Sequence, residues 1–427
     1  MSRITLTLSL AGTLLLPTLP AAAQDEAPLS EATEMCLMCH EGLHPGIVAD
    51  WRSSRHARTT VAEALGVDEL ERRVSAEGVP EELLEVAVGC AECHTLAPDT
   101  HADTVEHGDA QMHTVVTPVD CATCHPVEHE QYQQNIMSQA HGNLVRNELF
   151  SDLALQINGL QAWQDGVLST GPSHALTDQD SCLSCHGTEV VVEGTESRST
   201  ALGEMTFAVL SGWPNQGVGR VNPDGSLGSC SACHARHAFS IEVARKPYTC
   251  AQCHKGPDVP AYPVYRVSKH GNIQASSDHG WDYQAVPWKP GADFTAPTCA
   301  TCHASLLANE DGIVFAERTH RMNDRLDTRL FGLPYAHAHP RSPATHTIRN
   351  AAGLPLPTEL TGEPVADALI DAEEQATRRR AMQAVCRTCH STSWIEGHFE
   401  RLDHTIDTTN EMTLAATQVL LDGWERG

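Results

Sequence analysis

Apolar positions form one long block in this chain, from Ile4 to Leu19 within MSRITLTLSLAGTLLLPTLPAAAQDEAP. One basic residue, Arg3, precedes the block, and Ala21, Ala22 and Ala23 close it before polar Gln24. That order predicts a secretory signal over residues 1–23, cut after Ala23. A retained membrane anchor is the competing reading. The block is short and broken by Pro17 and Pro20, which suits it poorly to spanning a bilayer. No other apolar run reaches transmembrane length, so the mature chain is expected to be exported, periplasmic or otherwise, with no transmembrane segment. Further along, WRSSRHA reads as helical and MTLAATQVLLDGW as an amphipathic helix.

Composition makes the interior a problem. A chain of 427 residues normally builds two or three domains around aliphatic and aromatic cores. Aromatic residues are only 5% here, and 30 Gly with 24 Pro imply much loop. Something other than side chains must fill the core. Charge then narrows the partners: 28 basic against 55 acidic residues leave a net −27. Such a surface repels nucleic-acid phosphates and anionic membrane faces. It favours a basic redox partner, although a merely solvated acidic surface is the commoner meaning of such a balance.

The cysteines supply the missing core. All 16 fall into CxxCH units. The first four are Cys36–Cys39–His40, Cys90–Cys93–His94, Cys121–Cys124–His125 and Cys182–Cys185–His186. The last four are Cys230–Cys233–His234, Cys250–Cys253–His254, Cys299–Cys302–His303 and Cys386–Cys389–His390. Two thiols at this spacing add to the two vinyl groups of one porphyrin, and the adjacent His reaches the iron as proximal ligand. Disulfides or zinc ribbons give no reason for a His after every second cysteine. With 25 His in 427 residues, eight such coincidences have a chance on the order of 10⁻¹⁰. The chain therefore reads as a cytochrome carrying eight covalently bound haem c groups. Flat apolar macrocycles replace the missing aromatic residues. The expected fold is mainly α with long irregular loops, a multihaem cytochrome c fold packed around its haems. Residues 24–360 would carry seven motifs and residues 361–427, a C-terminal helical region, the eighth. The close sequence spacing of Cys90 with Cys121, and of Cys230 with Cys250, predicts neighbouring haems.

Seventeen histidines lie outside the motifs, and sixth iron ligands are their natural use. A haem closed by a second histidine transfers electrons; one left open can bind substrate. By position, His56, His113, His141, His237, His270, His320 and His398 are the expected distal ligands, with His107 in reserve. His337, His339 and His346 cluster in PYAHAHPRSPATH and read as a surface loop or a weak metal site.

The segments CHEGLHPGIVADWRSSRHA, CHPVEHEQY, GSCSACHARHAFS, CAQCHKGPD and CRTCHSTSWIEGHFE together resemble the hydroxylamine oxidoreductase family of octahaem cytochromes. The resemblance runs from about Cys36 to about Thr417. It implies seven bis-histidine haems and an open fourth one, here on Cys182, Cys185 and His186. The family's oxidising members line that pocket with an Asp-His pair just after the sixth motif. Here the matching residues are Asp258 and Val259, so a carboxylate for proton delivery is present and the histidine is not. Asp258 can equally cap a turn between Pro257 and Pro260. Those members also carry a tyrosine, C-terminal to the last motif, that bonds to a neighbouring subunit's catalytic porphyrin. The six tyrosines here, 132, 248, 262, 265, 283 and 335, all precede that motif. Both departures point away from hydroxylamine oxidation, and loss of the tyrosine link also weakens the case for the family's trimer.

The expected activity is accordingly multi-electron redox chemistry on nitrite or hydroxylamine, reduction favoured. His186 would be the proximal ligand of the reacting haem and Asp258 a proton donor. A small cytochrome or a quinone-linked cytochrome would be the redox partner, with a homo-oligomer possible. The alternative is a non-catalytic electron-transfer cytochrome with every haem closed by histidine. A shortened hydroxylamine oxidase is disfavoured by the absent tyrosine and histidine. Sulfur oxyanions such as sulfite are further substrates to weigh, although all eight motifs are plain CxxCH.

Overall fold

A computed structural model describes residues 27–200, 203–256, 260–330 and 335–426. The expected signal, residues 1–23, lies outside them. The chain is mainly α, in short helices joined by long irregular connections, as the motif-dense sequence requires. Most motifs form or border a helix of one or two turns. In four of them the histidine N–H closes one turn onto the first cysteine: His125 on Cys121 at 2.9 Å, His234 on Cys230 at 3.0 Å, His254 on Cys250 and His390 on Cys386 at 2.9 Å. A helical turn sets residues three and four apart on one face, so both thiols and the imidazole project together.

Local capping sets where these helices begin. Ser30 accepts from Thr33 N–H to start Glu31–Leu43, and Ser391 accepts from Trp394 N–H to start Thr392–Glu425. Thr60 with Glu63 forms a capping box at Val61–Leu65. Among the described residues strands pair only two at a time. The longest hairpin joins Val191–Thr200 to Gly203–Ser211, with a bulge between Val192 and Gly194. The second, Leu160–Gln164 with Val167–Gly171, has no buried residue in its first strand.

Side-chain cores are small. One cluster joins Tyr283, Trp288, Phe294, Leu307, Ala316 and Val385. A second joins Leu37, Val48, Trp51 and Ala57 at the N-terminal helices. The final helix, 34 residues long, buries Ile395 and Phe399 near its start. Further on, Asn410 exchanges two 2.9 Å hydrogen bonds with the backbone of Ala336. Beyond that tie Met412, Val419, Leu420 and Trp424 are exposed. They lie in the amphipathic segment expected from sequence. No described helix is long and apolar enough to cross a membrane.

Candidate haem sites

All sixteen cysteines are unpaired. Where a motif histidine shows its Nδ1 partner, a backbone carbonyl often holds it. His94 Nδ1 donates to the His113 carbonyl at 2.9 Å and His186 Nδ1 to the Ala140 carbonyl at 3.0 Å. Such a bond sets the tautomer and leaves Nε2 available to a metal.

Five motif histidines face a second imidazole from elsewhere in the chain. Ring centroids are 6.1 Å apart for His40 and His107, and 6.4 Å for His125 and His56. They are 6.5 Å apart for His94 and His237, 6.4 Å for His234 and His320, and 6.1 Å for His390 and His270. Metal–imidazole bonds of about 2.0–2.1 Å put two rings flanking one metal roughly 6.3 Å apart, centroid to centroid. The spacing therefore fits an iron between each pair. Protonation fits as well. Burial, reinforced by the facing imidazole, pushes His56 down to about 4 and His234 to about 3. Burial takes His320 to about 4. Neutral imidazole is the form that binds iron.

The other expected distal histidines stand differently. His113 is fully buried and its ring centroid also lies 6.2 Å from that of His94, but its Nε2 is 3.1 Å from the Leu96 carbonyl and its Nδ1 3.3 Å from that of Val115. Its ring lies flat on His101, centroids 3.5 Å apart, and His101 Nε2 donates to Asp120 Oδ1 at 3.0 Å. Parallel rings cannot both aim a nitrogen in-plane at one ion, so this cluster does not read as a metal centre. His141 is tied by Nδ1 to the Gly187 carbonyl at 2.8 Å, beside the fourth motif. His398 is separated from His390 by Trp394, whose ring stacks on both, at 4.0 Å from His390 and 5.1 Å from His398. Asp258 lies outside the described residues.

One expectation is overturned: His337 and His339 are not surface residues. They are 6% and 4% exposed, and burial pushes each down to about 4. Their Nδ1 atoms sit on the carbonyls of Ala338 and Pro340. His337 Nε2 is buried without a partner. Sequence reading missed these two because the Pro- and Ala-rich segment around them has no amphipathic period to reveal burial.

The tertiary fold also orders the motifs. Cys93 lies within electrostatic range of Cys124, and Cys233 of Cys250, consistent with the neighbours expected from sequence spacing. Thiols of other motifs also lie near one another: Cys121 and Cys230, Cys250 and Cys299, and Cys185 and Cys253.

Residues 35–126 match the model for "Cytochrome c554 and c-prime", and residues 222–312 that for "Seven times multi-haem cytochrome CxxCH". A solved "Hypothetical multiheme protein" is 42% identical, with a TM-score of 0.87 over 94% of this chain and 83% of that one. A "Probable nitrite reductase-hydroxylamine oxidoreductase fusion protein" of Kuenenia stuttgartiensis is 27% identical over 278 residues, 63% of this chain. This chain belongs to the multihaem cytochromes. It spans 25% of the fusion protein's length. The reducing HAO-like protein complex of the same organism shares the fold, at 20% identity and a TM-score of 0.53 over 92% of this chain and 63% of that one. As a multihaem c-type cytochrome, the chain binds haem covalently through its CxxCH motifs.

Proposed function

We propose that this multihaem cytochrome is hydroxylamine oxidoreductase-like, is exported, carries eight haems c, and reduces nitrite or hydroxylamine at one open haem, the fourth. The observation that carries the reading is the difference between histidines. Five motif histidines face an imidazole at iron-bridging distance, whereas among the described residues His186 and His303 show no such pair, and of these two His186 belongs to the fourth motif. His186 is nonetheless held as a proximal ligand would be, its Nδ1 on the Ala140 carbonyl. His337 and His339, each with Nδ1 on a carbonyl, are the candidates to close the haems of His254 and His303, and His141 lies beside the fourth motif. Haem supplies an iron that binds the nitrogen compound and a path for electrons. Asp258, the carboxylate after the sixth motif, would hold and deliver protons there. A small basic cytochrome or a quinone-linked cytochrome would supply electrons, as the nitrite reductase-related name of the fusion relative and the net charge of −27 suggest.

The second reading, a closed electron wire, draws on the same buried imidazoles. Were His141, His337 and His339 all to bind iron, every haem would be sealed. Electron paramagnetic resonance of the oxidised protein separates the two. One high-spin haem whose signal changes on adding nitrite or hydroxylamine is the expected result. Eight low-spin haems that ignore both compounds would sink the enzymatic reading.

A further inference from the structure

In a chain with 55 acidic and 28 basic residues, a buried guanidinium has many carboxylates to choose from. Arg220, buried, and the half-buried Arg236 have taken none. Arg220 is 2% exposed. Its Nε donates to Asn222 Oδ1 at 2.7 Å, and its terminal nitrogens donate to the carbonyls of Asn215 and Val116 at 3.3 Å. All three acceptors are neutral. Arg236 donates to the Pro214 carbonyl at 3.2 Å, while its Nε is buried with no partner. Both guanidinium groups stand over the Trp213 ring, at 5.3 Å and 4.7 Å from its centroid. Among the described residues neither forms an ion pair. Burial, then repulsion from Arg236, pushes Arg220 down to about 10.

Two like charges held together in low dielectric are costly unless an anion joins them. We propose that Arg220 and Arg236, braced on Trp213, form an oxyanion-binding site. Planar guanidinium forks match a carboxylate or a small inorganic oxyanion in shape and charge. The place of the site favours one source. Arg236 directly precedes His237 in the chain, and the His237 ring faces His94 of the second motif at 6.5 Å. The fitting carboxylate is then a propionate of the haem held by Cys90 and Cys93. A free oxyanion drawn from solution is the other source of the same chemistry. The inference rests on haem binding but not on the proposed substrate.

The test is spectroelectrochemical titration of the full-length, haem-loaded wild type, Arg236→Gln and Arg236→Lys. Sulfate is present or absent at constant ionic strength, and haem content is read by mass. A bound propionate predicts that Arg236→Gln keeps its haems and one component becomes harder to reduce. Its reduced-to-oxidised ratio at the wild-type midpoint should fall at least threefold, independent of sulfate, and Arg236→Lys should restore most of it. A free oxyanion predicts instead that sulfate shifts one wild-type component saturably and leaves Arg236→Gln unmoved. Curves of wild type and Arg236→Gln that superimpose, with and without sulfate, would overturn the site. Haem loss from both variants, with a wild type indifferent to sulfate, would overturn it equally.

Discussion

His107 follows the second motif in sequence and faces the histidine of the first in space, 6.1 Å away. His113, a few residues on, turns both ring nitrogens to backbone carbonyls instead. Replacing each should separate ligand from scaffold. His320→Ala is expected to add one high-spin haem to the paramagnetic resonance spectrum, because it removes the imidazole opposite His234. His113→Ala should leave the count of low-spin haems unchanged. Acid offers a second test at this scale. Burial depresses His337 and His339 to about 4, against roughly 6.5 in the unfolded chain. Between those values the unfolded state binds more protons, so stability falls as pH drops from about 6.5 to about 4. Each residue contributes up to about 1.4 kcal/mol per pH unit in that window. Denaturant midpoints at pH 7, 5.5 and 4.5 should decline, and His339→Gln should flatten the decline. Above pH 7 neither group contributes.

Elements in this fold are joined by a few polar and steric ties. Glu92, inside the second motif, accepts from Ser30 Oγ, from Thr33 Oγ1 at 2.7 Å and from Gly89 N–H at 2.8 Å. One carboxylate thus clamps the helix Glu31–Leu43 to the helix Cys90–His94. Glu92→Ala removes the acceptor for three donors, and about 1–3 kcal/mol of stability should go with it in denaturant melts. Gly219 is a steric tie beside the fourth motif. A Cβ there would lie 2.6 Å from His141 N, 2.7 Å from Ala140 N and 2.7 Å from the His186 carbonyl. Gly219→Ala must push those segments apart and shift the Ala140 carbonyl that orients His186. A change confined to one haem in the optical or resonance spectrum is the expected result, with the other haems unaltered. The helix starts are set by local caps at Ser30, Thr60 and Ser391, which the structure reveals. The hairpins were not legible in sequence. Val191–Ser211 alternates weakly and leaves most of its first strand exposed, so no burial pattern announces it.

Among the described residues of this 427-residue chain, two modest side-chain clusters form the core. Such a core cannot by itself offset the conformational entropy of so long a chain. The chain produced without haem attachment should therefore show no cooperative thermal transition by circular dichroism, whereas the haem-loaded protein should melt in one. A cooperative melt of the haem-free chain would mean that side chains alone hold the fold.

The sequence by itself determined the covalent chemistry. Spacing within each CxxCH unit is local, and one helical turn realises it wherever the unit sits. It also determined the helix-and-loop character, because ligand-bearing turns leave no continuous strand pattern. Tertiary structure decided which imidazole faces which. The partner of His234 comes from His320, and that of His390 from His270, across separations no local periodicity encodes. It also buried His337, His339 and Arg220, and set Arg236 with Arg220 on the Trp213 ring, whose roles depend on neighbours that only folding assembles.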